Sequence, residues 1–121
     1  MPRVIHFEIL AEDPERAVRF YKKVFEWKIK KWKGPADYWL VTTGEDAQPG
    51  INGAIMHRTN KGTTYNTIDV PSVDEFIQKI VKAGGKVVTK KTTVPGVGYV
   101  AYCKDTEGNV FGIMQEDPSA H

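Results

Sequence analysis

The chain contains an internal repeat, because one pattern of strands and one helix occurs twice along it at an offset of 59 residues. At this offset His6 corresponds to Tyr65, and Gly53 corresponds to Gly112. A repeat near this length is typical of a duplicated supersecondary unit. The sequence therefore predicts an α+β fold in which two βαβββ modules, at about residues 1–59 and 60–118, form a single domain over residues 1–121.

Each copy opens with a strand that leads into a capped helix. Residues 4–10 alternate between apolar and polar side chains, which is the period of a strand with two different faces. Asp13 before Pro14, and Ser72 three residues before Glu75, are typical helix starts. The other predicted strands are 27–33, 38–43 and 52–57 in the first copy, and 65–70, 86–92, 99–104 and 110–116 in the second, with a linker at 58–63.

One helix per module covers one face of its strands and leaves the other face for a ligand. The side chains expected under the helices are apolar, with Asn66 and Gln115 as exceptions: Ile5, Phe7, Ile9, Ala54, Met56, Ile68, Val70, Phe111 and Ile113. The side chains expected on the other face are mixed: His6, Glu8, Ile55, His57, Tyr65, Thr67, Asp69, Met114 and Glu116. Small-molecule sites often have that mixture, so the sequence predicts a ligand trough between the modules.

Two segments of the chain are similar to those of a known family. They are His6, Glu8, Asp13, Ala17–Tyr21 and Val24–Trp27 near the start, and Asp105–Asn109 with Phe111 near the end. Together with the repeat, they resemble the glyoxalase, bleomycin-resistance and extradiol-dioxygenase (vicinal oxygen chelate) superfamily over about residues 4–117. The resemblance implies a glyoxalase-like fold and, as in many relatives, a homodimer. Glu26 departs from the pattern, since relatives commonly have glycine there.

The resemblance also implies where a metal would bind. Relatives similar to lactoylglutathione lyase bind one divalent metal through four positions, which match His6, Gly53, Tyr65 and Gly112 of this chain. His6 is a good ligand, but glycine has no side chain and neutral tyrosine is a poor donor. Such sites need about three ligands of the His, Cys or carboxylate type. We therefore expect no metal and no other cofactor, with His6 as the first ligand if a metal does bind.

Two residues are candidate catalytic groups. An unperturbed histidine titrates near pH ~6.5, so His6 is suited to acid–base chemistry; its alternative is a hydrated polar side chain. Tyr65 is a candidate hydrogen-bond donor to a substrate, and its alternative is ring packing. The candidate substrate-binding residues are Glu8, Gly53, Ile55, His57, Thr67, Gly112, Met114 and Glu116.

Three functions fit these residues. The first is a glyoxalase-like protein that binds a small organic molecule and catalyses a lyase- or isomerase-type reaction with His6 and Tyr65. The second is a non-catalytic protein that sequesters a toxin or an antibiotic. The third is a metal-dependent lyase or dioxygenase with ligands from His6, Glu8, His57 and Glu116.

Charge and composition restrict the partners. The net charge of +2 is too small to favour a polyanion, and Lys28–Lys33 is typical of an edge strand protected by lysines rather than of a nucleic-acid surface. Cys103 is the single cysteine, which favours a reducing compartment. No segment approaches the ~18 apolar residues of a membrane span, and the first residues lack a signal peptide's apolar stretch. We therefore expect a cytoplasmic protein with a small-molecule ligand and no nucleic-acid or membrane partner.

Overall fold

The computed structural model describes residues 2–59 and 62–121; Asn60 and Lys61, in the predicted linker, lie outside the described residues. The described chain has eight strands and two helices in the βαβββ order, occurring twice, which confirms the α+β class. Neither helix of this part of the chain combines the length and the hydropathy that a membrane span requires. The elements are β1 (Arg3–Ala11), α1 (Pro14–Phe25), β2 (Lys28–Lys31), β3 (Tyr38–Thr42), β4 (Gly53–His57), β5 (Thr64–Asp69), α2 (Val73–Lys82), β6 (Lys86–Val94), β7 (Gly98–Lys104) and β8 (Val110–Glu116).

The chain divides into two compact units. Of the described residues, 5–59 and 62–65 form the N-terminal unit, and 2–4 and 66–121 form the C-terminal unit. In the N-terminal unit the strand order is β2-β3-β4-β1, with β1 and β4 parallel and the other pairs antiparallel. Strand β5 begins in the N-terminal unit with Thr64 and Tyr65 and continues into the C-terminal unit, where the order is β5-β8-β7-β6 with β5 and β8 parallel. The assignment of both modules to one domain stays a prediction.

Both predicted helix starts are confirmed. The carboxylate of Asp13 accepts a hydrogen bond from the backbone N–H of Arg16 at 3.1 Å, and Pro14 occupies the first turn of α1. The hydroxyl of Ser72 accepts from the backbone N–H of Glu75 at 3.2 Å. These contacts satisfy amide groups that lack partners at the start of a helix.

The core of the N-terminal unit lies between α1 and one face of its strands. Ile29, Val41 and Ile55 are buried there, and Ile9 of β1 and Tyr21 of α1 pack against them. The core of the C-terminal unit is built in the same way around α2, from Val70, Val73, Ala101 and Ile113. Gln115, the polar exception on that face, accepts a hydrogen bond through its side-chain oxygen from the backbone N–H of Val73 at 3.0 Å.

We call the sheet face opposite the helix the far face of each unit. In the N-terminal unit, strand pairing and alternation give the far face these residues: His6, Glu8, Leu10, Tyr38, Leu40, Ala54 and Met56. In the C-terminal unit, strand pairing and alternation give the far face these residues: Thr67, Asp69, Val100, Tyr102, Gly112, Met114 and Glu116. The predicted faces of β1, β5 and β8 are thus confirmed.

The predicted face of β4 is wrong. Ile55 lies opposite Ile9 and is fully buried in the core beneath α1. Because alternate residues of a strand point to opposite faces, Ala54 and Met56 lie on the far face, and His57 shares the side of Ile55. The placement of Ile55 and His57 on the ligand-facing side is therefore corrected.

The two modules do not correspond at one offset along their whole length, which is why the predicted face of β4 is wrong. Glu8 pairs with Ala54 in β4, whereas Thr67, which corresponds to Glu8, pairs with Gly112 in β8. The first strands therefore correspond at an offset of 59 (67 minus 8), but the last strands correspond at an offset of 58 (112 minus 54). A shift of one residue moves every side chain of a strand to the other face.

Candidate active site

Three side chains form a hydrogen-bonded cluster on the far face of the N-terminal unit. Nε2 of His6 lies 2.8 Å from the phenol oxygen of Tyr38. The O–H of Tyr38 donates a hydrogen bond to Oε2 of Glu8 at 2.6 Å. The rings of His6 and Tyr38 are nearly parallel, at 13° with centroids 6.4 Å apart. One phenol thus joins an imidazole to a carboxylate.

The strand register brings these three side chains together. His6 and Glu8 are two residues apart on β1, so they share a face. Tyr38 on β3 lies opposite Met56 on β4, and Met56 lies opposite Leu10 on β1. Residues that lie directly opposite one another in a sheet point to the same face, so Tyr38 shares the face of His6 and Glu8, and its hydroxyl reaches both side chains across β4.

Burial controls the charge of His6. It lowers the pKa of the imidazole below the ordinary value of 6.5, and the nearby carboxylate of Glu8 opposes this with a smaller raising effect. Glu8 itself is only 4% exposed. The imidazole is therefore mainly neutral near pH 7, and a neutral imidazole can accept a proton from a ligand.

The tyrosine that contacts His6 is not the one that the sequence singled out. Tyr65 lies on β5, is 4% exposed, and shares by alternation the face of Thr67. The hydroxyl that forms a hydrogen bond with His6 belongs to Tyr38. A catalytic role for Tyr65 stays a prediction.

Sequence reasoning missed Tyr38 as a site residue. The ring of Trp32, which follows β2, packs at 73° against that of Tyr38 with centroids 6.1 Å apart. A signal for Tyr38 was present, because it alternates along β3 with the core residues Trp39 and Val41 and must point away from them.

Two further N-terminal candidates lie on the α1 side of the sheet. Gly53 lies opposite Phe7, and a side chain at this position would collide with the Phe7 ring and backbone. The exposed imidazole of His57 lies 3.7 Å from the carboxylate of Asp37 and packs against the ring of Trp39. Gly53 therefore accommodates the core side chain of Phe7, which corrects its placement among the candidate substrate-binding residues.

The remaining candidates lie on the far face of the C-terminal unit. Thr67 is buried, and Gly112 lies opposite it. A methyl group added at Gly112 would be 3.1 Å from Oγ1 of Thr67 and 3.4 Å from the Tyr102 ring. Met114 and Glu116 follow Gly112 on the same face. Their contact with a ligand stays a prediction.

The residues present do not fit the metal site that the family resemblance implies. With the corrected offset, Ala54 replaces Gly53 at the position corresponding to Gly112, and neither has a donor atom in its side chain. In residues 2–59 and 62–121, no group of three or more His, Cys, Asp or Glu side chains is placed to hold an ion. His6 is thus left without the ligand set that such a site requires.

Two curated mycobacterial proteins are similar to the chain. The protein named "Putative glyoxylase CFP32" is 26% identical over 115 residues both in Mycobacterium bovis and in Mycobacterium tuberculosis. The match covers 92% of this chain and 43% of each relative. The chain thus spans less than half the length of the curated relatives it matches.

Solved structures share the fold at low sequence identity. A hypothetical protein from Bacillus halodurans has a TM-score of 0.70 at 16% identity, covering 99% of this chain and 98% of that one. A methylmalonyl-CoA epimerase in complex with methylmalonyl-CoA and NH4+ has a TM-score of 0.72 at 12% identity, with coverage of 99% and 98%. A methylmalonyl-CoA epimerase variant from Streptomyces coelicolor in complex with 2-nitronate-propionyl-CoA has 0.69 at 13%, with coverage of 98% and 97%.

The family is shown by a match to a family model. The model described as "Glyoxalase/Bleomycin resistance protein/Dioxygenase superfamily" matches residues 3–113, which include both helices and reach into the last strand. The repeat, the βαβββ order and the solved neighbours agree with this match. The chain therefore belongs to the glyoxalase/bleomycin resistance protein/dioxygenase superfamily.

Proposed function

We propose that this protein binds a small organic molecule at the far face of the N-terminal unit and that His6 acts there as an acid–base group in an isomerase- or lyase-type reaction. The observation that carries the proposal is the cluster in which Tyr38 joins His6 to Glu8. A partly buried imidazole with a depressed pKa and a fixed orientation is a typical arrangement for proton transfer.

The surroundings of the cluster support binding of an organic ligand. Met56 and Leu40 are apolar side chains on the same far face, and Leu40 is 41% exposed. The indole of Trp32 lies against Tyr38. A few polar groups among apolar and aromatic side chains are typical of small-molecule sites.

We take the substrate to be a carbonyl compound with a C–H bond next to the carbonyl group. The fold is shared with a methylmalonyl-CoA epimerase that was solved with methylmalonyl-CoA, a thioester, bound. In the proposed reaction His6 removes the proton from that carbon and returns it, so atoms and charge balance without a further reactant. Tyr65 is the proposed hydrogen-bond donor to the carbonyl oxygen, where negative charge develops.

Proton exchange with solvent tests this reaction. The protein is incubated in heavy water with a panel of small carboxylic acids and thioesters, and proton NMR measures loss of the signal next to the carbonyl. We expect exchange of at least one compound, and a decrease of about 100-fold or more in His6→Gln, the usual range for removal of a general base. His57→Gln is the matched control, because His57 lies on the other side of the sheet. Equal exchange rates in the two variants would refute a role for His6.

The second candidate function is sequestration of a toxic compound. The side chains beside the cluster favour it, because Met56, Leu40 and Trp32 offer a surface that can hold a compound without any reaction taking place. A sequestering protein would bind a compound and return it unchanged after dissociation. Binding without exchange or product, by NMR and mass spectrometry, would therefore replace the enzymatic proposal with this one.

We further propose that the reaction uses no metal at the family's positions, because Ala54 and Gly112 supply no donor there. Elemental analysis of protein purified without a metal-affinity tag tests this proposal. We expect well under one divalent ion per chain. About one ion per chain, lost in His6→Ala, would contradict it.

Assembly as a homodimer and a cytoplasmic location stay predictions from the sequence and the family resemblance. Gel filtration with light scattering measures the mass in solution, and twice the 13.6 kDa of the chain is the expected result. The mass of a single chain would contradict the dimer.

A further inference from the structure

The hydrogen bonds of Tyr38 determine which nitrogen of His6 carries its proton. A phenol has one hydrogen to donate, and Tyr38 donates it to Oε2 of Glu8. Towards Nε2 of His6, at 2.8 Å, the phenol oxygen can then act only as an acceptor. A neutral imidazole has a single N–H, so Nε2 holds the hydrogen and Nδ1 presents a lone pair.

Nδ1 of His6 is the nitrogen that a ligand can reach. Within residues 2–59 and 62–121, Nδ1 forms no hydrogen bond. In the same part of the chain, no buried side-chain nitrogen or oxygen atom lacks a hydrogen-bond partner. It follows that Nδ1 is not buried, although the residue as a whole is only partly exposed.

We propose that Tyr38 is a positioning residue that selects the Nε2–H form of His6, so that Nδ1 is the atom that exchanges a proton with the ligand. This role rests on the proposed function of His6 as an acid–base group. When Nδ1 takes up a proton, Nε2–H continues to donate to Tyr38, and Tyr38 continues to donate to Glu8. No proton moves within the cluster, and the carboxylate offsets the charge of the imidazolium. Return of the proton from Nδ1 to the ligand restores the neutral ring.

Nitrogen NMR of isotope-labelled histidine measures the tautomer without any substrate. The 121-residue chain has three histidines, and loss of one set of signals in His6→Gln identifies those of His6. At a pH above the pKa of His6, we expect a pyridine-type signal from Nδ1 and a pyrrole-type signal from Nε2. A pyrrole-type Nδ1 in the wild-type protein would overturn the proposal, whether or not any variant folds.

Two tyrosine variants separate positioning from a purely structural effect. Tyr38→Phe keeps the ring but removes the acceptor for the Nε2–H group. We expect the ratio of the Nε2–H form to the Nδ1–H form to fall about fivefold, because one ordinary hydrogen bond is lost. Tyr21→Phe is the matched control, since the Tyr21 hydroxyl forms no hydrogen bond within the described residues, and it leaves the ratio unchanged. An unchanged ratio in Tyr38→Phe that is folded by circular dichroism would overturn the role of Tyr38.

Kinetics distinguish failure of this inference from failure of the proposed function. If an exchanging substrate is found, Tyr38→Phe should lower kcat with little change in KM, because Tyr38 acts through His6 and not on the ligand. A change confined to KM would overturn the positioning role. An absence of exchange in the wild-type protein with the Nε2–H form intact would refute the proposed reaction but support the tautomer assignment.

Discussion

Replacing Tyr38 by phenylalanine removes a hydroxyl that forms hydrogen bonds with both His6 and Glu8 in a partly buried cluster of the described residues. The bond to the carboxylate of Glu8, which is 4% exposed, is of the charged type that contributes about 1.5–3 kcal/mol. The bond with the neutral ring of His6 contributes about 0.5–1.5 kcal/mol. We therefore expect Tyr38→Phe to lower the free energy of unfolding by about 2–4 kcal/mol, a large part of the total for a small domain.

Urea unfolding followed by tryptophan fluorescence measures this loss. Tyr21→Phe is the matched control, because it removes the same atom where the described residues provide no hydrogen bond, and it should cost less than about 0.5 kcal/mol. A double-mutant cycle of Tyr38→Phe with Glu8→Gln should give a coupling energy of about 1 kcal/mol or more. Equal costs for the two tyrosine variants, or no coupling, would refute the cluster as described.

Three further predictions test other parts of the structure. The pKa of His6 is depressed in the folded state, so the unfolded state takes up a proton at a higher pH than the folded state. The stabilisation that the neutral imidazole contributes to the folded state is therefore fully present above pH 6.5 and is lost as the pH falls. The free energy of unfolding should then decline less between about pH 7.5 and about pH 5 in His6→Gln than in the wild type, and an equal decline would contradict burial of the ring. Glu26→Gly relieves a left-handed backbone at φ 59° and should raise the free energy of unfolding by about 0.5–1 kcal/mol, so that a loss of stability would contradict this reading of the helix end. Gly53→Ala should lower the free energy of unfolding by about 1–3 kcal/mol, because the added methyl group collides with Phe7. This loss should exceed that of Gly112→Ala. Equal losses for the two variants in denaturant unfolding would contradict the β4 register.

Local sequence signals predicted much of the fold. The caps at Asp13 and Ser72 act through residues three positions away, so their pattern is complete in a short segment. The alternation of β1 is equally local, because a one-residue slip would bury His6 and Glu8 beneath α1. Such signals were sufficient for the helices, for β1, and for the repeated βαβββ order.

The face of β4 could not be read in the same way. Ala54, Ile55 and Met56 are consecutive apolar residues, so either face of the strand suits the core and alternation carries no preference. The repeat offset then decided the prediction, and the offset changes by one residue between the first and last strands. The physical determinant is the space beside Gly53 that Phe7 fills, which only the packed structure shows.

The candidate site was only half predictable for a related reason. His6 and Glu8 are close in the sequence, and their shared face follows from strand alternation. Tyr38 reaches them only through two strand pairings, from β3 to β4 and from β4 to β1. A partner 30 or more residues away is set by that register, and the predicted face of β4 was wrong.

Binding of a ligand beside His6 is tested most directly by methyl NMR of Met56 and Ile55. These neighbours lie on opposite faces of β4, Met56 on the far face with Tyr38 and Ile55 in the core beneath α1. On titration with the panel of carboxylic acids and thioesters, a compound that binds should shift the methyl signal of Met56 in a saturable way, with little change at Ile55 and weaker binding in His6→Gln. Binding that leaves Met56 unshifted, or that His6→Gln does not weaken, would contradict the proposed site.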